Sequence, residues 1–278
     1  MFKLMRTSLS IAALAIGLQA PLWAQPVNDD APVRRSGVDS TLLRMVPAEG
    51  VEGEATQQYN QLKQQAAQKK ALAPDDYPDL VRLRAIARRM LPHTTRWNER
   101  ASKWTWEINV IGSDQINAFC MPGGKIAVYS GLIKALKPSD DELAIVMGHE
   151  IAHALLEHSR ERMAKGQLTQ LGAGVISQLF GFGQIGNTAL GLGANLLGLK
   201  FSRGDETEAD SVGLELAARS GFDPRAGISL WQKMDRAAQG APPEWFSSHP
   251  KNTNRIRELE AQLPRVLPLY QRAGGKAQ

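Results

Sequence analysis

The stretch "SDDELAIVMGHEIAHALLEHS", residues 139–159, constrains the fold more than any other part of the chain. Pro138, then Ser139 with Glu142 three residues on, is the signature of a capped helix start. At about 100° per residue, Leu143, Ala144, Met147, Ile151, Ala154 and Leu155 gather on one side. His149 and His153 lie together on the opposite side. Histidines that merely filled a core would share the apolar stripe, and these do not. This helix must bury one face while holding two imidazoles on another, so His149-Glu150-Ile151-Ala152-His153 is either a metal site with a base beside it or a helix with two spare histidines.

An i, i+4 pair sets the two Cβ atoms about 5–6 Å apart, close enough for both rings to reach one ion. Zinc suits such ligands, and a catalytic zinc needs a third protein ligand and an open position. His158, five residues past His153, is directed to the opposite face of the same helix and reads as structural. Downstream, "SRGDETEADSVG" offers Glu206 and Asp210, again four apart on an expected helix. Packed beside the first helix, Glu206 would complete a two-His, one-Glu set. Asp210 could then accept a hydrogen bond from the second nitrogen of a ligand histidine. Glu208 points about 200° away from Glu206. An acidic, solvated helix face is the other reading of the same pattern. A purely structural zinc fits poorly, because Glu150 would have no task and a fourth ligand would be required.

The chain has 278 residues. Residues 1–24 read as an export signal: Lys3 and Arg6 form a basic start, Leu9 to Leu18 an apolar core, and Leu22-Trp23-Ala24 a processing site. Cleavage after Ala24 lowers the formal net charge from +5 to +3. That is too mild for nucleic-acid binding, and no basic run appears. A soluble periplasmic or secreted protein is expected. The single cysteine, Cys120, allows no internal disulfide, so the core or a metal must hold the fold, and Cys120 reads as a small buried apolar residue.

Residues 25–50 read as a disordered leader and 51–265 as one catalytic domain, with N-terminal helices over 51–91, a catalytic part over 92–265 and a tail over 266–278. "KWTWEINVI" alternates Trp104, Trp106, Ile108 and Val110 on one face, the pattern of a half-buried strand. "NAFCMPGGKIAVYSGLI" reads as strand, Pro-Gly-Gly turn, and a second strand running into a helix. Residues 166–199 carry no charge and many glycines: plain core packing, a lid and a membrane-touching hairpin remain alternatives. Helices are expected from about Arg203 to Ser220, from Asp223 to Ala238, and after Pro250. The fold class is α+β, mainly α, with a small sheet.

His149-Glu150-x-x-His153, then Ser202-Arg203-x-x-Glu206-x-x-Ala209-Asp210 some fifty residues later, resembles the zinc endopeptidase family of HtpX and the CAAX prenyl proteases, in particular its periplasmic members. "NAFCMPGG" and "SHPKNTNRI" are similar to that family's edge strand and His-Pro motif, and the likeness spans roughly residues 75–262. It implies a zincin-like domain whose edge strand precedes the metal helix. It further implies one Zn2+ held by His149, His153 and Glu206, with Glu150 as general base. His249 is the first candidate to stabilise the oxyanion and Arg255 the second, while His249 plugging the zinc at rest is the alternative. Asn117, Ala118 and Phe119 would pair with an extended polypeptide. The flanking transmembrane helices of the integral-membrane members are missing, which argues against prenylated substrates. Unfolded or misassembled envelope proteins are the expected substrates. A holdase or assembly factor with a rarely active metal site is the competing function.

Overall fold

The computed structural model describes residues 43–44, 46–168, 201–239, 243–250 and 253–276. The expected signal, residues 25–42 of the leader and residues 169–199 of the charge-free segment lie outside them. In chain order the described elements begin with helices α1 (Ala48–Gln68) and α2 (Pro78–Met90), and 3-10 turns over Leu91–Arg96 and Glu99–Lys103. Strands β1 (Glu107–Ile111), β2 (Ala118–Met121) and β3 (Lys125–Tyr129) follow. Then come α3 (Ser130–Leu136), α4 (Asp140–Leu155), α5 (His158–Leu168), α6 (Arg203–Arg219), α7 (Ala226–Ala237), α8 (Trp245–Ser248) and α9 (Arg255–Arg272). The chain is thus mainly helical with one small sheet, an α+β arrangement compatible with a zincin-like domain.

The sheet has the order β1-β3-β2, with β1 parallel and β2 antiparallel to β3. Its Pro-Gly-Gly turn works because Gly123 and Gly124 both sit at positive φ, +80° and +78°, a region closed to most side chains. Side chains alternate as the strand period demands. Ile108, Val110, Ala118, Cys120, Ile126 and Val128 enter the main core, whereas Ile111, Phe119, Met121, Ala127 and Tyr129 pack on Tyr59 and Leu62 of α1. The half-buried strand expected from "KWTWEINVI" is therefore buried on both faces and begins only at Glu107. The cause is α1, whose amphipathic face has nowhere else to go.

Helix α4 runs through the middle of the main core. Leu143, Met147, Ile151 and Leu155 meet Leu80 and Leu83 of α2, Leu214 of α6, Leu230 of α7 and Leu259 of α9 in one cluster. Two boundaries move relative to expectation. The leader ends earlier: α1 starts at Ala48, and the Arg160 guanidinium donates to the carbonyls of Leu43 (2.6 Å) and Val46 (2.6 Å). The tail starts later: α9 continues through Pro264 and Pro268 to Arg272, with Val266 and Leu269 buried. Each proline removes one helical donor, yet apolar burial on both sides of them holds the helix in place.

Candidate metal centre

Two capping boxes set the phase of the helices that meet here. Ser139 Oγ accepts from the Glu142 amide (3.2 Å) and Glu142 Oε2 from the Ser139 amide (2.8 Å). At α6, Ser202 and Asp205 make the same exchange at 3.1 and 2.8 Å. Helices α4 and α6 then touch backbone to backbone. A Cβ on Gly148 would lie 2.7 Å from the Gly213 carbonyl oxygen, and one on Gly213 would lie 2.6 Å from the His149 nitrogen. Only glycine at both positions permits that approach. It brings Glu206, in the first turn of α6, up to the two histidines.

His149, His153, Glu206 and His249 each offer one ligand atom, and the four atoms lie within 4.8 Å of one another. The two Nε2 atoms are 3.1 Å apart; Glu206 Oε1 is 3.5 Å from His153 Nε2, and Glu206 Oε2 is 3.7 Å from His149 Nε2. None of the four residues exceeds 3 % exposure. Glu206 Oε1 and His249 Nε2 are buried without a hydrogen-bond partner. Such groups are costly unless something satisfies them, and a divalent cation bound by imidazole and carboxylate fits this donor set. Glu150 stands beside it, its Oε1 3.5 Å from His249 Nε2 and otherwise without a partner.

Burial dominates the proton affinities. It pushes Glu150 well above the ordinary carboxylate range, with Glu206 adding to the effect, while the Cys120 backbone N–H pulls the other way. It raises Glu206 despite His149 and Arg255. It drives His153 and His249 well below the usual histidine value, reinforced by neighbouring cationic partners. Both rings are thereby kept neutral, with a lone pair to offer. Asp210 is the exception: burial would raise it, but Arg255 and His149 outweigh burial and hold it low. Its Oδ1 sits 2.9 Å from His149 Nδ1, where the sequence placed it.

Four parts of the expected site have surroundings that local spacing does not show. Arg255, the second candidate for the oxyanion, spans the carboxylates: Nη2 donates to Glu206 (2.6 Å) and Nε to Asp210 (2.5 Å), with Cζ 3.8 Å from the Trp231 ring centroid. Its Nη1 is buried without a partner. His158 does not point away. Helix α4 ends at Leu155, Glu157 adopts a left-handed φ of +56°, and the redirected chain returns His158 Nδ1 to 2.9 Å from His153 Nδ1. Glu208, directed away from Glu206 as its helical offset implies, faces His158 Nε2 at 3.5 Å. Finally, β2 is an edge strand, but Asn117, Ala118 and Phe119 are all buried. Asn117 Oδ1 caps the Ala118 N–H (2.9 Å), and Phe119 faces α1. The edge group beside Glu150 is the Cys120 N–H.

Aromatic supports also went unread. Phe201 stacks on His153 with centroids 3.8 Å apart, and Trp245 stacks on His249 at 4.5 Å. The Phe201 amide donates to the Ser248 carbonyl (3.0 Å), tying the start of α6 to the His249 segment. No local signal marks either residue.

Residues 81–263 match peptidase family M48. The chain belongs to that family. Among relatives, the M48 chain is 39 % identical over 165 residues to mitochondrial metalloendopeptidase OMA1 of Schizosaccharomyces pombe, covering 57 % of itself and 47 % of the relative. It is 33 % identical over 180 residues to the human mitochondrial metalloendopeptidase OMA1, covering 60 % of itself and 34 % of the relative. It is 29 % identical over 270 residues to the β-barrel assembly-enhancing protease of Escherichia coli, covering 93 % of itself and 52 % of the relative. The M48 chain thus spans about half or less of the length of these relatives. Among the described residues no helix is long and apolar enough to cross a membrane.

Proposed function

We propose that the chain is a zinc-dependent endopeptidase that cuts extended segments of unfolded or misassembled envelope proteins. The observation carrying this reading is the convergence of four ligand atoms within 4.8 Å, with Glu150 beside them. His149, His153 and Glu206 would hold the ion. When bound, zinc supplies Lewis acidity that brings a water molecule's pKa down to about 7. Glu150, whose Oε1 faces the cluster without another partner, would take the water's proton and later deliver it to the leaving amine. Asp210 would fix the His149 ring, and Arg255, bonded to both Asp210 and Glu206, would hold the two carboxylates together.

His249 is read here as the occupant of the fourth position in a closed form, because its unpaired Nε2 belongs to the same group of ligand atoms. Displaced by substrate, it would donate to the developing oxyanion once a proton is taken up on Nε2, the nitrogen left bare while Nδ1–H bonds the Trp245 carbonyl. The substrate would lie along the outer edge of β2, taking the Ala118 amide from Asn117 Oδ1, which it bonds in the free chain. The naming of the Escherichia coli relative as a β-barrel assembly-enhancing protease favours envelope substrates, and the expected export signal favours the periplasm; residues 166–199 remain a candidate for peripheral membrane contact.

The test uses the purified full chain, assayed for metal and for digestion of unfolded casein, with and without chelator. About one zinc per chain is expected, with cleavage abolished by chelator and by Glu150→Gln, and increased in His249→Ala if His249 is the plug. Intact casein with all three chains, or suppressed aggregation without cutting, would replace the enzyme by a holdase.

A further inference from the structure

His153 presents Nε2 to the cluster, 3.1 Å from His149 Nε2 and 3.5 Å from Glu206 Oε1. Its Nδ1 therefore faces outward, where His158 Nδ1 meets it at 2.9 Å. Two imidazole nitrogens at that distance share a single proton, so one donates and the other accepts. A ligating imidazole is neutral and binds through its bare nitrogen, which puts the His153 proton on Nδ1. His158 Nδ1 is then the acceptor, and the proton of a neutral His158 sits on Nε2, facing Glu208 Oε2 at 3.5 Å. The reverse assignment leaves the Glu208 carboxylate opposite a lone pair whether or not a metal is present, and with a metal bound it would put a proton on the ligating nitrogen of His153.

We infer that His158, anchored by Glu208, is a positioning residue that fixes the His153 ring as the Nδ1–H tautomer with Nε2 bare toward the cluster. The inference rests on the zinc reading above for its consequence, but its geometry is independent of it. Phe201, stacked on the ring at an interplanar angle of 25°, sets the plane of His153. His158 sets the direction within that plane. The two histidines of α4 are thus steadied by different means: His149 by a charged acceptor, Asp210, and His153 by a neutral one. The left-handed turn at Glu157 is what makes the second possible, since an uninterrupted helix would carry residue 158 away from residue 153.

The test is long-range 1H–15N correlation of the imidazole nitrogens in the 15N-labelled full chain, paired with zinc titration against a chelator of known affinity. In the wild type, His153 should be protonated at Nδ1 with and without zinc. His158→Phe should lose that single tautomer and bind zinc about 10- to 100-fold more weakly. His158→Gln, whose side-chain carbonyl can accept, should recover most of the affinity. A merely structural role would lower the melting temperature of His158→Phe without changing the affinity of its folded fraction. Should His158→Phe not fold, Glu208→Gln, altering a partly exposed side chain, should weaken zinc binding in the same direction. Protonation of His153 at Nε2 in the wild type, or wild-type affinity in the folded His158→Phe or Glu208→Gln chain, overturns the inference. A wild type that takes up no zinc refutes the metal reading instead, and the tautomer spectrum then decides the inference alone.

Discussion

Removing the Arg255 side chain should destabilise the fold more than any other single change at the centre. Its guanidinium is 3 % exposed and makes two charge-assisted hydrogen bonds, to Glu206, itself 1 % exposed, and to Asp210, 8 % exposed. Charge-assisted bonds contribute about 1.5–3 kcal/mol each, and breaking a buried pair by deleting one partner costs about 3–5 kcal/mol because the other charge stays behind. Asp210 retains its contact with His149, and water entering the vacated space would solvate the carboxylates, so the lower part of that range applies: about 3 kcal/mol for Arg255→Ala. At about 2–4 °C per kcal/mol for a domain of this size, the melting temperature should drop by roughly 6–12 °C. Arg255→Lys should restore only part of it, because a single ammonium cannot fork between two carboxylates. Differential scanning calorimetry of the metal-free chains reads this directly. A fall of under about 2 °C in Arg255→Ala would refute the claim that these carboxylates depend on Arg255.

Gly213→Ala should push α4 and α6 apart, since the new methyl would meet the His149 backbone rather than a yielding side chain; we expect about 1–3 kcal/mol of destabilisation by chemical denaturation together with weaker metal uptake. Burial would raise the Glu142 carboxyl, but Lys233, the Ser139 amide and Ser229 outweigh it and hold the group low. A depressed folded value means stability present above the unfolded carboxylate range and lost as pH falls through the folded value, so Glu142→Gln should flatten the acid limb of a stability profile between about pH 5 and 3. Ser139→Ala should cost about 1 kcal/mol by removing the cap of α4, measured by urea unfolding at neutral pH. Burial pushes the Cys120 thiol well above its ordinary range, further helped by Glu150; the native chain should therefore resist a thiol-reactive dye at pH 8 and react only on unfolding.

What could be read locally was read well. The capped start of α4, the i, i+4 histidines, the four-residue step from Glu206 to Asp210 and the Pro-Gly-Gly hairpin each depend on residues a few positions apart. The misplacements share a cause. An ideal helix would carry His158 to the opposite face, whereas a single left-handed residue, Glu157, redirects it. Strand alternation says nothing of the neighbours of Asn117 to Phe119: α1 packs on the Phe119 face, Asn117 Oδ1 accepts from the Ala118 amide, and the Trp245 amide bonds the Ile116 carbonyl just before them. Arg255 was matched to a motif, whereas its partners lie 45 and 49 residues away.

Periodicity, caps and spacing therefore determined which atoms this chain can offer to a cation, because helix geometry repeats every few residues whatever surrounds it. Only the tertiary structure decided which of those atoms meet. That depended on two glycines letting α4 and α6 touch, on one turn redirecting His158, and on a distant arginine bridging two buried carboxylates.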